Sequence, residues 1–105
     1  MTGAGLITAE RQRQIDVEGF TAEHDAKHTK LELFWASMCY MWCALDQIKK
    51  RGPFAILKEN LGIWPDTLSI AWWKPSADPI RNLVKAGALI AAEIDRLQRE
   101  KDKEQ

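Results

Sequence analysis

Both histidines of the chain lie in one short polar stretch that also carries acidic residues. His24, Asp25 and His28 are followed by Glu32, and on a helix positions 24, 28 and 32 recur along one face. Two imidazoles at this spacing can share a divalent metal ion, and a carboxylate one turn later can complete the ligand set or act as a base. The same stretch also fits a polar helix start whose histidines bond to neighbouring groups, or direct hydrogen bonding to a ligand.

A second group of residues combines aromatic and cationic side chains. Trp72, Trp73 and Lys74 precede the last predicted helix, on which Arg81 and Lys85 are spaced i,i+4. Cations near a helix N-terminus can hold phosphate, and tryptophan faces can stack on a base. This combination of residues is typical of a nucleotide-binding pocket. The alternative is that the tryptophans fill the core and the cations are solvated.

The elements that must position these residues form one helical domain over residues 1–105. A first helix is predicted over residues 9–18 and ends at Gly19. Residues 1–7 and 100–105 are expected to fray. The predicted fold is therefore all-α, with two long helices, one or two short helices and an ordered loop rich in tryptophan and proline.

The second predicted helix carries the histidine stretch. It begins at Thr21, or later if Thr29 and Glu32 form a capping box, and ends before the Gly-Pro pair at residues 52–53.

A short helix over residues 54–60 and the loop over residues 63–76 follow. The last helix begins at Asp78 and Pro79, a cap followed by a first-turn proline. It carries an apolar stripe of Ile80, Leu83, Val84, Gly87, Ile90, Ala91, Ile94 and Leu97.

The long helix that ends near residue 48 is apolar around nearly its whole circumference. Trp35, Cys39 and Trp42 widen a stripe made of Leu31, Phe34, Met38, Met41, Leu45 and Ile48. Because a small chain has little else to cover such a helix, we expect a homodimer. Cys39 and Cys43 share a helix face, which is a poor geometry for a disulfide, so buried free thiols in a reducing compartment are predicted.

Composition excludes several classes of protein. Fifteen Lys and Arg balance fifteen Asp and Glu in 105 residues, a charge balance that does not favour a protein that coats nucleic acid. No Gly-rich phosphate loop or recognisable nucleophile motif is present. The N-terminus lacks a signal-peptide pattern, and no apolar run is long enough to span a membrane. We therefore expect a cytoplasmic protein.

The chain resembles a family of small phage and prophage proteins, from residue 9 to about residue 99. The resemblance is carried by His28 and by the segments at residues 9–15, 18–25, 72–75 and 81–90, which read AERQRQI, EGFTAEHD, WWKP and RNLVKAGALI. It implies a phage accessory protein in the cytoplasm of a bacterial host. Two departures favour a protein-binding face: Leu31 stands where the family usually has glycine, and residues 34–62 are bulkier than the family pattern.

Three functions follow as hypotheses. The first is a non-catalytic counter-defence protein that sequesters a small nucleotide-type ligand. Lys74, Arg81 and Lys85 would contact phosphate, and Trp72 and Trp73 would stack. Sugar or base would hydrogen-bond to His24, Asp25 and His28.

The second hypothesis is a nucleotide phosphohydrolase that depends on Mn²⁺, Zn²⁺ or Mg²⁺. Its metal ligands would be His24, His28 and Glu32, with Asp25 beside them. The third is an inhibitor that binds a host defence enzyme through the apolar helix over residues 31–48. Of these hypotheses we favour the first, and with it a protein that is not an enzyme.

Overall fold

The computed structural model describes residues 1–49 and 64–104. Within these ranges the chain forms helices and no strand, which confirms the predicted all-α fold. The predicted short helix over residues 54–60 lies outside the described residues. In chain order the elements are α1 (Gly3–Asp16), α2 (Ala22–Ala26), α3 (Glu32–Ile48), a 3-10 helix (Ile70–Trp72) and α4 (Pro79–Lys103).

Helix α1 begins earlier than the predicted start at residue 9. Thr2 is its N-cap, and the Thr2 hydroxyl accepts a hydrogen bond from the Gly5 amide at 3.1 Å. Residues 3–7, which we expected to fray, are therefore helical, and at the other end α4 continues to Lys103. Gly19 has a positive φ of 78° and, as predicted, separates α1 from the next helix.

The predicted long second helix is divided into α2 and α3. Thr21 caps α2 by accepting from the His24 amide at 3.3 Å, but α2 ends at Ala26. The predicted capping box is wrong, because the N-cap of α3 is Leu31, which makes no side-chain cap. Leu31 has a φ of 64° and a ψ of 25°, a left-handed conformation that is costly for a residue with a Cβ.

Helices α3 and α4 form an antiparallel pair at the centre of the fold. Asn82 bonds to Gln47 near the start of α4, and one turn later Lys85 lies over Tyr40, so contacts run in opposite order along the two helices. The core between and around them combines small side chains with larger ones from both the helices and the loops: Phe20, Leu33, Ala36, Cys39, Tyr40, Trp64, Leu68, Ala86, Leu89 and Ala92. Helix α1 packs against α4.

The apolar stripes predicted for the two long helices lie mostly on the outside. On α3 the inward face carries small residues such as Ala36, Cys43 and Ala44. On α4 the large residues of the predicted stripe are exposed: Ile80, Leu83, Ile90, Ile94 and Leu97. Small inward residues let the helices approach closely. Leu33, Tyr40 and Leu89 are buried with them, and the other large apolar side chains of the two helices lie mostly outside the core.

Candidate functional site

Two of the three cations predicted to hold phosphate, Lys74 and Arg81, are paired with acidic residues of α1 and its C-terminal turn. Glu10 is buried, and its carboxylate accepts from Arg13 at 2.8 and 2.9 Å and also from Arg81. Burial raises the pKa of Glu10, but these guanidinium groups outweigh burial and hold the pKa below its ordinary value. Arg81 therefore has an internal counter-charge.

The two lysines of the predicted pocket also have partners within the chain. The Lys74 ammonium lies 3.0 and 3.1 Å from the carboxylate oxygens of Glu18. Lys85 donates to the Lys74 carbonyl and lies 5.7 Å from the centre of the Tyr40 ring. Burial and the nearby charge of Arg81 lower the pKa of Lys85. The structure thus places Lys74, Arg81 and Lys85 close together. Their partners are carboxylates and a carbonyl of the chain itself rather than an open space for phosphate.

The two tryptophans of the WWKP segment are partly buried and pack against the core. Trp73 is tilted against Tyr40 and Trp64, with ring centroids 4.7 and 5.3 Å apart. The edge-to-face partners of Trp72 are Phe20 and His24, both at 4.9 Å. Both indoles are used in aromatic packing rather than presented as free faces for a base.

A cavity of about 20 Å³ lies between these groups, and it is lined in part by Glu10, Glu18, Lys74 and Lys85. This volume corresponds to about one water molecule. A nucleotide needs a cleft of roughly 300 Å³ or more. The arrangement therefore holds no preformed nucleotide pocket within the described residues.

The histidine stretch forms a continuous chain of hydrogen bonds. Asp25 and His24 Nδ1 are 2.8 Å apart, the Nε2 atoms of His24 and His28 are 3.2 Å apart, and His28 Nδ1 lies 3.0 Å from Glu32. Phe20 stacks on His24 with an interplanar angle of 7°. The structure thus brings together all four residues that sequence spacing singled out.

Both carboxylates of this histidine cluster are buried, and each has a further partner outside it. Asp25 pairs with Arg11 at 3.0 Å, and Glu32 accepts from the Thr67 hydroxyl at 2.8 Å. Burial raises the pKa of Glu32, but hydrogen bonds from Thr67, His28 and the backbone outweigh it, so the pKa is lowered.

The structure does not arrange His24, His28 and Glu32 around one point, and this predicted metal ligand set stays a prediction. Because α2 ends at Ala26, positions 24, 28 and 32 do not share one helix face, and Glu32 binds the far nitrogen of His28 rather than facing His24. Among residues 1–49 and 64–104, no group of three His, Cys, Asp or Glu side chains could hold a metal ion.

The outward face of α3 is the second candidate site. We define this α3 face as the residues of α3 that point away from α4: Phe34, Trp35, Met38, Met41, Trp42, Leu45 and Ile48. Phe34 is 48% exposed and Trp42 is 43% exposed. A shallow groove of about 300 Å³ lies among Met38, Met41, Trp42 and Leu45. The charged residues of α3, Glu32 and Asp46, are both buried.

Sequence reasoning missed the residues that neutralise or position these groups. Glu10 and Glu18 pair with cations more than 50 positions away, and only the i,i+3 spacing of Glu10 and Arg13 was a local signal. Thr67 bonds to Glu32, 35 positions away, and has no sequence signal.

Comparisons with known proteins yield no relative. No family model, curated protein or solved structure matches the chain. None of the described helices has both the length and the apolar character that crossing a membrane requires.

Proposed function

We propose that this protein acts by binding an amphipathic helix of another protein through the α3 face. The observation that carries the proposal is the display of large apolar side chains along α3, with both acidic residues of that helix turned inside. Exposed apolar surfaces of this kind mark interaction sites on soluble proteins. In the phage setting that the sequence resemblance implies, the partner is a host defence protein and the outcome is its inhibition.

The spacing of the α3 face favours a helix as its occupant. Phe34, Met38, Met41, Leu45 and Ile48 are separated by alternating steps of four and three residues. This is the spacing at which one helix packs along another at a shallow angle. Methionine and tryptophan are suited to such contacts, since methionine adapts its shape and tryptophan buries a large surface.

The groove favours a different protein over a second copy of this chain. A two-fold interface centred on the groove would place the same concave surface on both sides. A foreign helix presents a convex ridge, which fills a groove of about 300 Å³. The predicted homodimer stays a prediction, and the exposed stripe of α4 supplies a separate surface for it.

Site-specific cross-linking tests the proposal. With p-benzoylphenylalanine in place of Trp42, we expect an adduct with another protein of the host cell, located by mass spectrometry in an amphipathic helical segment. Met41→Glu should remove this adduct, because it places a charge in the groove. Ile90→Glu, an equally exposed site on α4, is the matched control and should leave it unchanged. An adduct only with the chain itself, or none, refutes the proposal.

The other two sequence hypotheses stay predictions. For the sequestering of a nucleotide-type ligand, Arg81 and Lys74 would have to leave Glu10 and Glu18, and Trp72 would have to leave its aromatic contacts. Calorimetric titration with ATP as the probe tests this requirement directly. We expect no saturable binding, and binding that Arg81→Ala abolishes would favour the ligand hypothesis over the protein partner.

A further inference from the structure

A small pocket lies between the C-terminal half of α4 and the end of α2 with the segment that follows it. Its walls are formed by Ala26, Thr29, Arg96, Arg99, Glu100 and Lys103. The pocket has a volume of about 70 Å³, and a cavity needs about 10–15 Å³ to hold one water molecule. It therefore has room for roughly five water-sized atoms, and phosphate and sulfate each consist of five non-hydrogen atoms.

The cations that line this pocket differ in how they are neutralised. Arg96 is buried and fully engaged, since it donates to Glu93 at 2.6 and 3.1 Å and to Glu100 at 2.9 Å. Within residues 1–49 and 64–104, Arg99 and Lys103 have no acidic partner and their side chains make no hydrogen bond. The pocket therefore has two positive charges that the described part of the chain does not neutralise.

One nitrogen of Arg99 is buried without a partner. Its Nη2 atom is covered from solvent, and no described group accepts a hydrogen bond from it. A buried charged donor that makes no bond is costly, because it has lost its hydration without gaining a replacement. Lys103 lies one turn after Arg99, so both side chains lie on the same face of α4. An anion in the pocket would supply the missing counter-charge to both.

We propose that this pocket binds one tetrahedral dianion, a phosphate group or sulfate, between Arg99, Lys103 and Thr29. The guanidinium group matches the spacing of phosphate oxygens, and the ammonium group adds a second positive charge. The Thr29 hydroxyl, which makes no hydrogen bond to the described residues, is a third donor. None of these residues belongs to the α3 face, so the site is independent of the proposed function.

The position of Glu100 favours a single phosphate group over a polyphosphate. Glu100 lines the pocket and 53% of its side chain is exposed, which places its carboxylate at the mouth. The further phosphates of a ligand such as ATP would lie beside this carboxylate and be repelled by it. A free dianion or a phosphate monoester avoids this repulsion.

Calorimetric titration with inorganic phosphate, above neutral pH and at constant ionic strength, tests the site. We expect one saturable site per chain. Arg99→Gln should weaken binding about tenfold or more, since it removes charge-assisted hydrogen bonds. Lys103→Gln should weaken it by up to about fivefold, as expected for an exposed cation. Lys101→Gln, an exposed cation of α4 outside the pocket, is the matched control and should leave the affinity unchanged.

Two further titrants identify the source of the dianion. Saturable binding of phosphate and sulfate, with none of glycerol 3-phosphate, would support the site with a free ion as its ligand. Binding of glycerol 3-phosphate that Arg99→Gln weakens would support it with a phosphate group carried by a larger molecule. No saturable binding of any of the three, or binding that Arg99→Gln leaves intact, overturns the proposal.

Thermal denaturation separates loss of the ligand from loss of folding. Without phosphate, the Tm of Arg99→Gln should equal or exceed that of the intact chain, because the substitution removes a buried charge without a partner. Phosphate should raise the Tm of the intact chain and of Lys101→Gln but not that of Arg99→Gln. A lower Tm of Arg99→Gln in the absence of phosphate would assign the guanidinium to the fold and would also overturn the proposal.

Discussion

Replacement of Glu10 by glutamine tests whether the cations of α1 and α4 serve the fold. Glu10 is the common partner of Arg13 and Arg81, which approach it from its own helix and from α4. Glutamine preserves the shape of the side chain but removes its charge and one of its two acceptor oxygens. The substitution therefore leaves both guanidinium groups without their shared counter-charge.

The expected cost follows from burial. The Glu10 side chain is fully buried, and breaking a buried ion pair costs roughly 3–5 kcal/mol. The partners are less buried, since 36% of the Arg13 side chain and 37% of the Arg81 side chain are exposed. Water can therefore solvate the released guanidinium groups, which favours the lower end of the range. We expect a loss of about 3 kcal/mol, or about 12 °C in Tm at about 4 °C per kcal/mol.

Urea denaturation at pH 7, followed by tryptophan fluorescence, measures this loss. Glu100→Gln is the control, because Glu100 is half-exposed in its pair with Arg96 and should lose under about 1 kcal/mol. A loss under about 1 kcal/mol for Glu10→Gln would refute the reasoning and would leave Arg81 available to a ligand.

Urea denaturation of the same two proteins at lower pH gives an independent check of the ion-pair account. The pKa values of Glu10, Glu18 and Glu32 are all lowered in the folded chain from an ordinary value of 4.5. Their stabilising effect is therefore present above pH 4.5 and is lost as the pH falls through the lowered values. Stability should decline with acid below about pH 4.5, and less steeply in Glu10→Gln. Equal slopes for the two proteins would contradict the ion-pair account.

Three further predictions concern the backbone and the thiols. Leu31→Gly should stabilise the chain by about 1 kcal/mol in urea denaturation, because glycine adopts the left-handed conformation without the Cβ penalty, whereas Leu31→Ala should give no gain. A Cβ at Gly87 would lie 2.6 Å from Ile7 Cδ1, so Gly87→Ala should stabilise by about 1 kcal/mol only in an Ile7→Ala background; equal effects in both backgrounds would disprove the contact. Burial raises the pKa of Cys39 to about 11 and also raises that of Cys43, so both thiols should react with DTNB at pH 8 only as fast as the chain opens, and immediate labelling would contradict their burial.

Local signals predicted the helices but not all of their boundaries. Asp78 and Pro79 gave the start of α4, and Gly19 gave the end of the first helical segment. The break between α2 and α3 was missed because it depends on Leu31, whose type disfavours the conformation that it adopts. A glycine at this position would have signalled the break.

The candidate sites were only partly predictable, for a related reason. The four-residue spacing of His24 and His28 predicted that they lie together, because their contact is local in sequence. The roles of the cations depend on pairs such as Glu10 with Arg81, which join α1 to α4 and leave no periodic trace. Residue type alone therefore could not distinguish a phosphate-binding arginine from one that neutralises a buried carboxylate.

Hydrophobic periodicity predicted two long helices but did not determine which face of each helix is buried. On α3 a stripe of large residues and a stripe of small ones lie on opposite faces, and either could have faced the core. The small stripe faces inward, where Ala36 packs in the same core as Ala86 and Ala92 of α4. The favourable transfer of the large side chains from water, roughly 1.5–3 kcal/mol for each one fully buried, is therefore only partly realised among residues 1–49 and 64–104. That unrealised burial is the physical reason to expect a partner on the α3 face.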